Sequence, residues 1–223
     1  MSFFSTLQAR TEAARAGLLA TPIIRRALEG RITRAEYAAF LGQAYHHVRH
    51  TVPLLMATGA RLPEPYAWLR SAVAEYIEEE LGHEAWILND IEACGYDSEA
   101  VRNGRPSVAT ELMVSYAYDM IDRVNPLGFF GMVHVLEGTS IAIADNAASR
   151  IRQALGLPKK AFSYLYSHGA LDLEHVKFFE DLMDRIEDPR DQAQIVHAAN
   201  VFYGLYGNIF RTLDGADAPA RAA

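Results

Sequence analysis

A single cysteine, Cys94, stands among 223 residues. That scarcity excludes an internal disulfide framework and a thiolate metal site, and it fits a reducing, cytoplasmic setting. Placed at a helix end ahead of Gly95, Cys94 reads as a small buried apolar residue. Basic residues are also few: 21 Lys and Arg against 28 Asp and Glu leave a net charge of −7. Such a surface does not suit nucleic acid, whose phosphates need basic contacts, or an anionic lipid surface. No run approaching the ~18–20 apolar residues of a membrane span stands out. The start MSFFSTLQAR lacks a basic stretch followed by an apolar one, so no signal peptide is expected. Period-two alternation between hairpin turns is missing, so no strands are expected. There is no fixed-period repeat and no Ser/Gly-rich linker.

What the chain does have is apolar residues, half of the total, and dense helix signals. TPIIRRALEG places Thr21 as N-cap and Pro22 at the first helical position. Thr33 to Glu36, TRAE, is a capping box opening a long helix interrupted near Pro53. Another helix is expected from about Pro65 to a stop at Gly95. Ser107 caps the next, and Pro126, Pro158 and Pro189 precede three more. These signals predict one all-α domain over residues 1–214, a bundle of seven to eight helices. The small, polar end, residues 215–223, is expected to be a disordered tail.

Three places hold polar residues where a bundle keeps apolar ones. In YIEEELGHEAW, Glu80 and His83 form the chain's one Glu-x-x-His, neighbours on a helix surface. The acidic run Glu78–Glu80 also reads as a solvated face. In FFGMVHVLEGTSIAIA, Glu137 sits in a strongly apolar helix. A carboxylate buried there needs a cationic partner or a metal, because an unpaired buried charge costs several kcal/mol. His134, three residues earlier, reads as that partner, as a supporting group or as a core histidine. In HGALDLEH, His168, Asp172 and His175 stand at i, i+4 and i+7, within roughly 60° of one another on a helix.

Together these segments offer three carboxylates and three imidazoles. Such a donor set favours iron or manganese over calcium. Two divalent ions would nearly neutralise the three carboxylates. The pattern differs from that of ferritin-like proteins, which carry two Glu-x-x-His motifs and two further Glu.

The order Glu-x-x-His, an isolated Glu in LEG, then His-x-x-x-Asp-x-x-His resembles the haem-oxygenase-like di-iron oxidases and oxygenases, the UndA/CADD-like group of the TenA/PqqC fold superfamily. The segment LPKKAFSYLYSHGALDLEHVKFFEDLM is its most specific part. The resemblance implies a haem-oxygenase-like bundle with metal ligands Glu80, His83, Glu137, His168, Asp172 and His175. Glu79 is a substitute for Glu80, since the spacing of the first pair varies. Glu137 is the residue expected to bridge the metals and take part in catalysis. Two Fe²⁺ per chain are implied, one of them labile, with Mn as the other metal. The partners implied are O₂ and a small organic substrate, ranging from fatty acids to amino acids across the family. A homodimer is expected.

Two other readings remain at this stage. One is a metal-free TenA- or PqqC-like enzyme on the same fold, the TenA type needing a nucleophilic cysteine in the core. The other is a non-enzymatic helical bundle that binds a small molecule or a protein. A haem oxygenase would need an early proximal histidine. YHHVRH offers His46, His47 and His50, although so polar a run reads as a partly solvated helix face. Phe129, Phe130, Met132 and Val133 could wall a pocket or form ordinary core, and Tyr116, Tyr203 and Tyr206 are further pocket candidates. Gly204 and Gly207 suggest close helix packing.

Overall fold

A computed structural model of the chain describes residues 2–170 and 172–214, with the side chains of 168–175 outside that description. No β-strand occurs among the described residues, as expected for an all-α chain. The helices are α1 (Phe3–Leu19), α2 (Pro22–Leu28), α3 (Arg34–Val48), α4 (Thr51–Arg61), α5 (Leu69–Glu80) and α6 (His83–Ala93). They continue as α7 (Ser98–Asn103), α8 (Val108–Asp119), α9 (Phe129–Leu155), α10 (Ser163–Ala170), α11 (Asp172–Asp184) and α12 (Pro189–Thr212).

Local signals set most boundaries. Thr33 and Glu36 form the reciprocal capping box of α3, and Ser107 caps α8 through the Thr110 N–H. Pro22 and Pro189 sit in the first turns of α2 and α12, where the missing N–H costs nothing. Thr21 occupies the N-cap of α2, but its side chain makes no capping hydrogen bond. The long helix expected after Thr33 divides at Arg49–His50, and Pro53 lies in the first turn of α4. A π-helical turn, Met120–Val124, follows α8, and a 3₁₀ turn, Pro126–Gly128, leads into α9.

The 27-residue α9 is the spine, packed chiefly against α12 and α10 and also touching α2 and α11. Although no such run stands out in the sequence, the stretch Pro126–Leu155 is long and apolar enough by composition to cross a membrane. In this fold 56% of its most apolar window is buried as the core helix. At Gly131 the backbones of α9 and α12 come close: a Cβ there would stand 2.7 Å from the Ala199 N and 2.8 Å from the Ile195 O of α12. Gly204 and Gly207 carry no such role. A Cβ at Gly204 meets nothing within 4 Å, and one at Gly207 meets only the Arg211 side chain.

Asp90 ties α6 to the start of α10. Its fully buried carboxylate accepts the Ser163 N–H (2.9 Å), the Ser163 hydroxyl (2.7 Å) and the Tyr164 N–H (2.9 Å). A carboxylate suits a helix N-terminus, where free N–H groups and the positive end of the helix dipole meet. The expected tail, 215–223, lies outside the described residues.

Candidate functional site

Glu80 and His83 do not share one helix, contrary to the expected run from Pro65 to Gly95. α5 ends at Glu80, Leu81 is extended (φ −62°, ψ 118°), Gly82 is left-handed (φ 89°), and α6 begins at His83. A left-handed residue favours glycine because a Cβ would clash with the backbone, so Gly82 sets the break. The two side chains still meet. His83 Nδ1 lies 3.1 Å from Glu80 Oε2, with the imidazole buried and the carboxylate about a fifth exposed. A carboxylate only accepts, so Nδ1 is the donor, and in a neutral ring the lone pair is on Nε2. The His83 ring also stacks on Trp86 with centroids 4.1 Å apart.

Glu80 and Glu137, from α5 and α9, line one cavity of about 70 Å³. His47, Tyr76, Tyr164 and Tyr206 supply its other main polar groups, and Val48, Leu55, Phe129, Met132, Val133 and Leu136 wall it. Phe130 is fully buried core instead. Glu79 is exposed while Glu80 is half-buried on the cavity wall, which separates the two acidic candidates. Glu137 is half-buried too, rather than sealed in the core. Burial raises the Tyr76 and Tyr164 phenols well above their ordinary range, and nearby carboxylates add to this: Glu137 and Glu80 for Tyr76, Glu80 for Tyr164. Both phenols therefore stay protonated at any ordinary pH. The Tyr76 hydroxyl is buried and has no hydrogen-bond partner among the described residues.

Two neighbouring cavities complete the picture. One of about 80 Å³, mostly apolar, lies among α2, α3, α9 and α12 and shares Ser140, Tyr164 and Tyr206 with the first. The other, about 260 Å³, lies among α1, α9, α11 and α12, and Glu137 stands on its wall as well.

His134 does not partner Glu137. The Thr11 hydroxyl donates to the Leu7 carbonyl (2.8 Å), so the His134 Nε2–H, 3.2 Å away, donates to Thr11 Oγ1. Burial and the Arg15 charge push the His134 imidazole down to about 4, so it is neutral at pH 7. The YHHVRH run is also corrected: His46 and His47 are buried, not solvated, because α3 packs against α6 and α8. Cys94 ends α6, buried, and burial pushes its thiol up to about 12. At neutral pH it is therefore a thiol rather than a thiolate. Tyr116 packs on Phe202 with centroids 5.0 Å apart.

Glu80, His83 and Glu137 are thus the described half of the expected ligand set; His168, Asp172 and His175 lie outside the described side chains. Among the described residues, no three His, Cys, Asp or Glu side chains are grouped closely enough to hold a metal ion. Tyr76 and Tyr164 join the cavity without having been expected there. Tyr76 had a readable signal, standing at i−4 from Glu80 on the same helix face.

A family model described as an iron-containing redox enzyme matches residues 38–207. No curated protein matches the chain. The structure is similar to a domain of unknown function with a heme oxygenase-like fold from Shewanella denitrificans, with TM-score 0.84 and 24% identity over 94% of this chain and 91% of that one. It is also similar to a TenA homologue from Pseudomonas syringae, with TM-score 0.79 and 13% identity over 96% and 93%. Heme oxygenase-1 from Synechocystis, solved in complex with heme, gives TM-score 0.74 and 14% identity over 96% and 93%. With most of its length covered by the family model, and with this fold, the chain belongs to the haem-oxygenase-like iron-containing redox enzymes.

Proposed function

We propose that the protein is an O₂-activating non-haem di-iron oxidase or oxygenase acting on a small organic substrate. The observation that carries this reading is the pair of carboxylates, Glu80 and Glu137, brought from separate helices to one tyrosine-lined cavity. The donor chemistry fits the metal: carboxylate oxygen and imidazole nitrogen, with no thiolate, suit iron. Glu80, His83 and Glu137 would hold it together with His168, Asp172 and His175. Iron bound there would supply the reduction of O₂ and the oxidising equivalents for the substrate.

The chain's own residues prepare the site in three ways. The Glu80 carboxylate accepts from His83 Nδ1 and so fixes the ring, and Nε2 is the nitrogen that would be left for a metal. Val48, Leu55, Phe129, Met132 and Leu136 give the half-buried carboxylates an apolar wall, which lowers the local dielectric and strengthens the charge interactions beside it. Tyr76 holds its phenolic proton against the carboxylates and can give a hydrogen bond to whatever binds beside them.

Anaerobic loading with Fe²⁺ followed by metal analysis tests the reading. Close to two irons per chain are expected, with at least one lost in Glu137→Ala and in Asp172→Ala. Wild-type protein that takes up no iron under those conditions would sink it.

A further inference from the structure

The cavity of about 260 Å³ beside α1 has a polar end that the iron reading does not use. Arg15 and Gln8 of α1 reach it, as does Tyr203 of α12. Tyr203 is 2% exposed, and its hydroxyl is buried without a hydrogen-bond partner among the described residues. The Arg15 charge lies near enough to draw the Tyr203 phenol downward, although burial still holds it up at about 12. It lies near His134 as well, whose imidazole stays neutral and is engaged with Thr11. No carboxylate among the described residues pairs with Arg15. A half-buried guanidinium and an orphaned phenol on one cavity are two donors awaiting an acceptor. Arginine's planar fork matches a carboxylate through two parallel hydrogen bonds. The remaining wall is apolar, with Phe4, Ile141, Val176 and Phe179. Glu137 lies on the same wall, three residues along α9 from His134, or about 4.5 Å of helix rise.

We infer that this cavity binds a small organic carboxylate. Arg15 and Tyr203 hold its head group, and its apolar body lies against Phe4, Ile141 and Phe179. The anion takes the Arg15 end, where the guanidinium and the Tyr203 hydroxyl both lie on the cavity wall. The ligand's body thereby points toward the residue the iron reading assigns to the metals. That the bound acid is the substrate rests on the iron reading; that it binds does not.

The test is calorimetric titration of the iron-free wild-type protein with octanoate and phenylacetate, their uncharged amides, and inorganic phosphate. At least one acid is expected to bind ten times or more tighter than its amide and than phosphate. Arg15→Gln should weaken that acid at least tenfold, and Tyr203→Phe three- to tenfold, while Arg15→Lys recovers part of the loss. Iron uptake by all three variants should match wild type. Acid and amide binding equally, phosphate binding as tightly as the acids, no binding by either acid, or acid binding indifferent to Arg15→Gln would each overturn the inference. Wild-type protein that binds the acid but takes up no iron would instead remove the di-iron reading and leave this one standing.

Discussion

Asp90 and Ser163 are joined twice, through the serine N–H at 2.9 Å and its hydroxyl at 2.7 Å, with the carboxylate fully buried. One carboxylate in α6 thus fixes the start of α10, the helix that carries Tyr164 into the cavity and leads to the 168–175 stretch. Asp90→Ala leaves two backbone N–H groups and a hydroxyl without their acceptor. We expect a loss of about 2–4 kcal/mol, given roughly 1–3 kcal/mol for a buried group left unsatisfied. Urea unfolding checks it; a loss below 1 kcal/mol would show that water replaces the carboxylate. On the di-iron reading the same variant, still folded, takes up less iron.

Acid should destabilise the protein from about pH 6.5 downward, through His134. Its folded pKa, about 4, lies below the ordinary 6.5 because burial and Arg15 disfavour the charged ring. The unfolded chain therefore takes up a proton between these values that the folded chain refuses. The contribution is complete above pH 6.5 and lost as pH falls toward 4, roughly 3 kcal/mol for a shift of this size. Glu36, held down to about 2 by Arg26, acts in the same direction from about 4.5 downward. In His134→Gln the slope between pH 6.5 and 4.5 should flatten; denaturation midpoints at pH 4.5, 5.5 and 7 give the answer. Equal slopes in variant and wild type would refute the assignment.

Tyr76→Phe separates structure from chemistry. The hydroxyl is buried without a partner among the described residues, so removing it should leave the stability of the metal-free protein unchanged or raise it by about 1 kcal/mol. If the phenol serves a bound ligand, turnover falls in the same variant once a substrate is known. A destabilised Tyr76→Phe protein would mean that the hydroxyl has a partner in solution.

Gly131→Ala should cost at least ~2 kcal/mol, because the new Cβ meets the α12 backbone at 2.7 and 2.8 Å and neither helix can yield alone. Gly204→Ala, with open space around it, serves as the control and should be neutral or slightly stabilising. Thermal melts of the pair compare them directly.

Much of the fold could be read from capping residues and prolines, because these act over three or four positions. The TRAE box, Ser107 and Pro189 each mark a real helix start. What local patterns could not reveal was which faces meet. His47 reads as solvated because its neighbours are polar, yet α3 is enclosed by α6 and α8. Gly82 was read as one more helical residue, since nothing near it reports its left-handed backbone. Arg15 and Tyr203 stand 188 positions apart, and only the packing of α1 on α12 brings them to one cavity. Of the candidate site, the Glu80–His83 contact and the place of Glu137 are visible in the structure, while His168, Asp172 and His175 lie outside the described side chains.

The two-residue elbow at Leu81–Gly82 makes Glu80 and His83 passengers on different rods. Their 3.1 Å separation is therefore set by a joint angle, whereas a continuous helix would have fixed it by pitch. On the di-iron reading, opening that joint by a few degrees would part carboxylate from imidazole while both helices stayed intact. One metal could then leave a fully folded protein, and the ease of its leaving would be written in a single glycine.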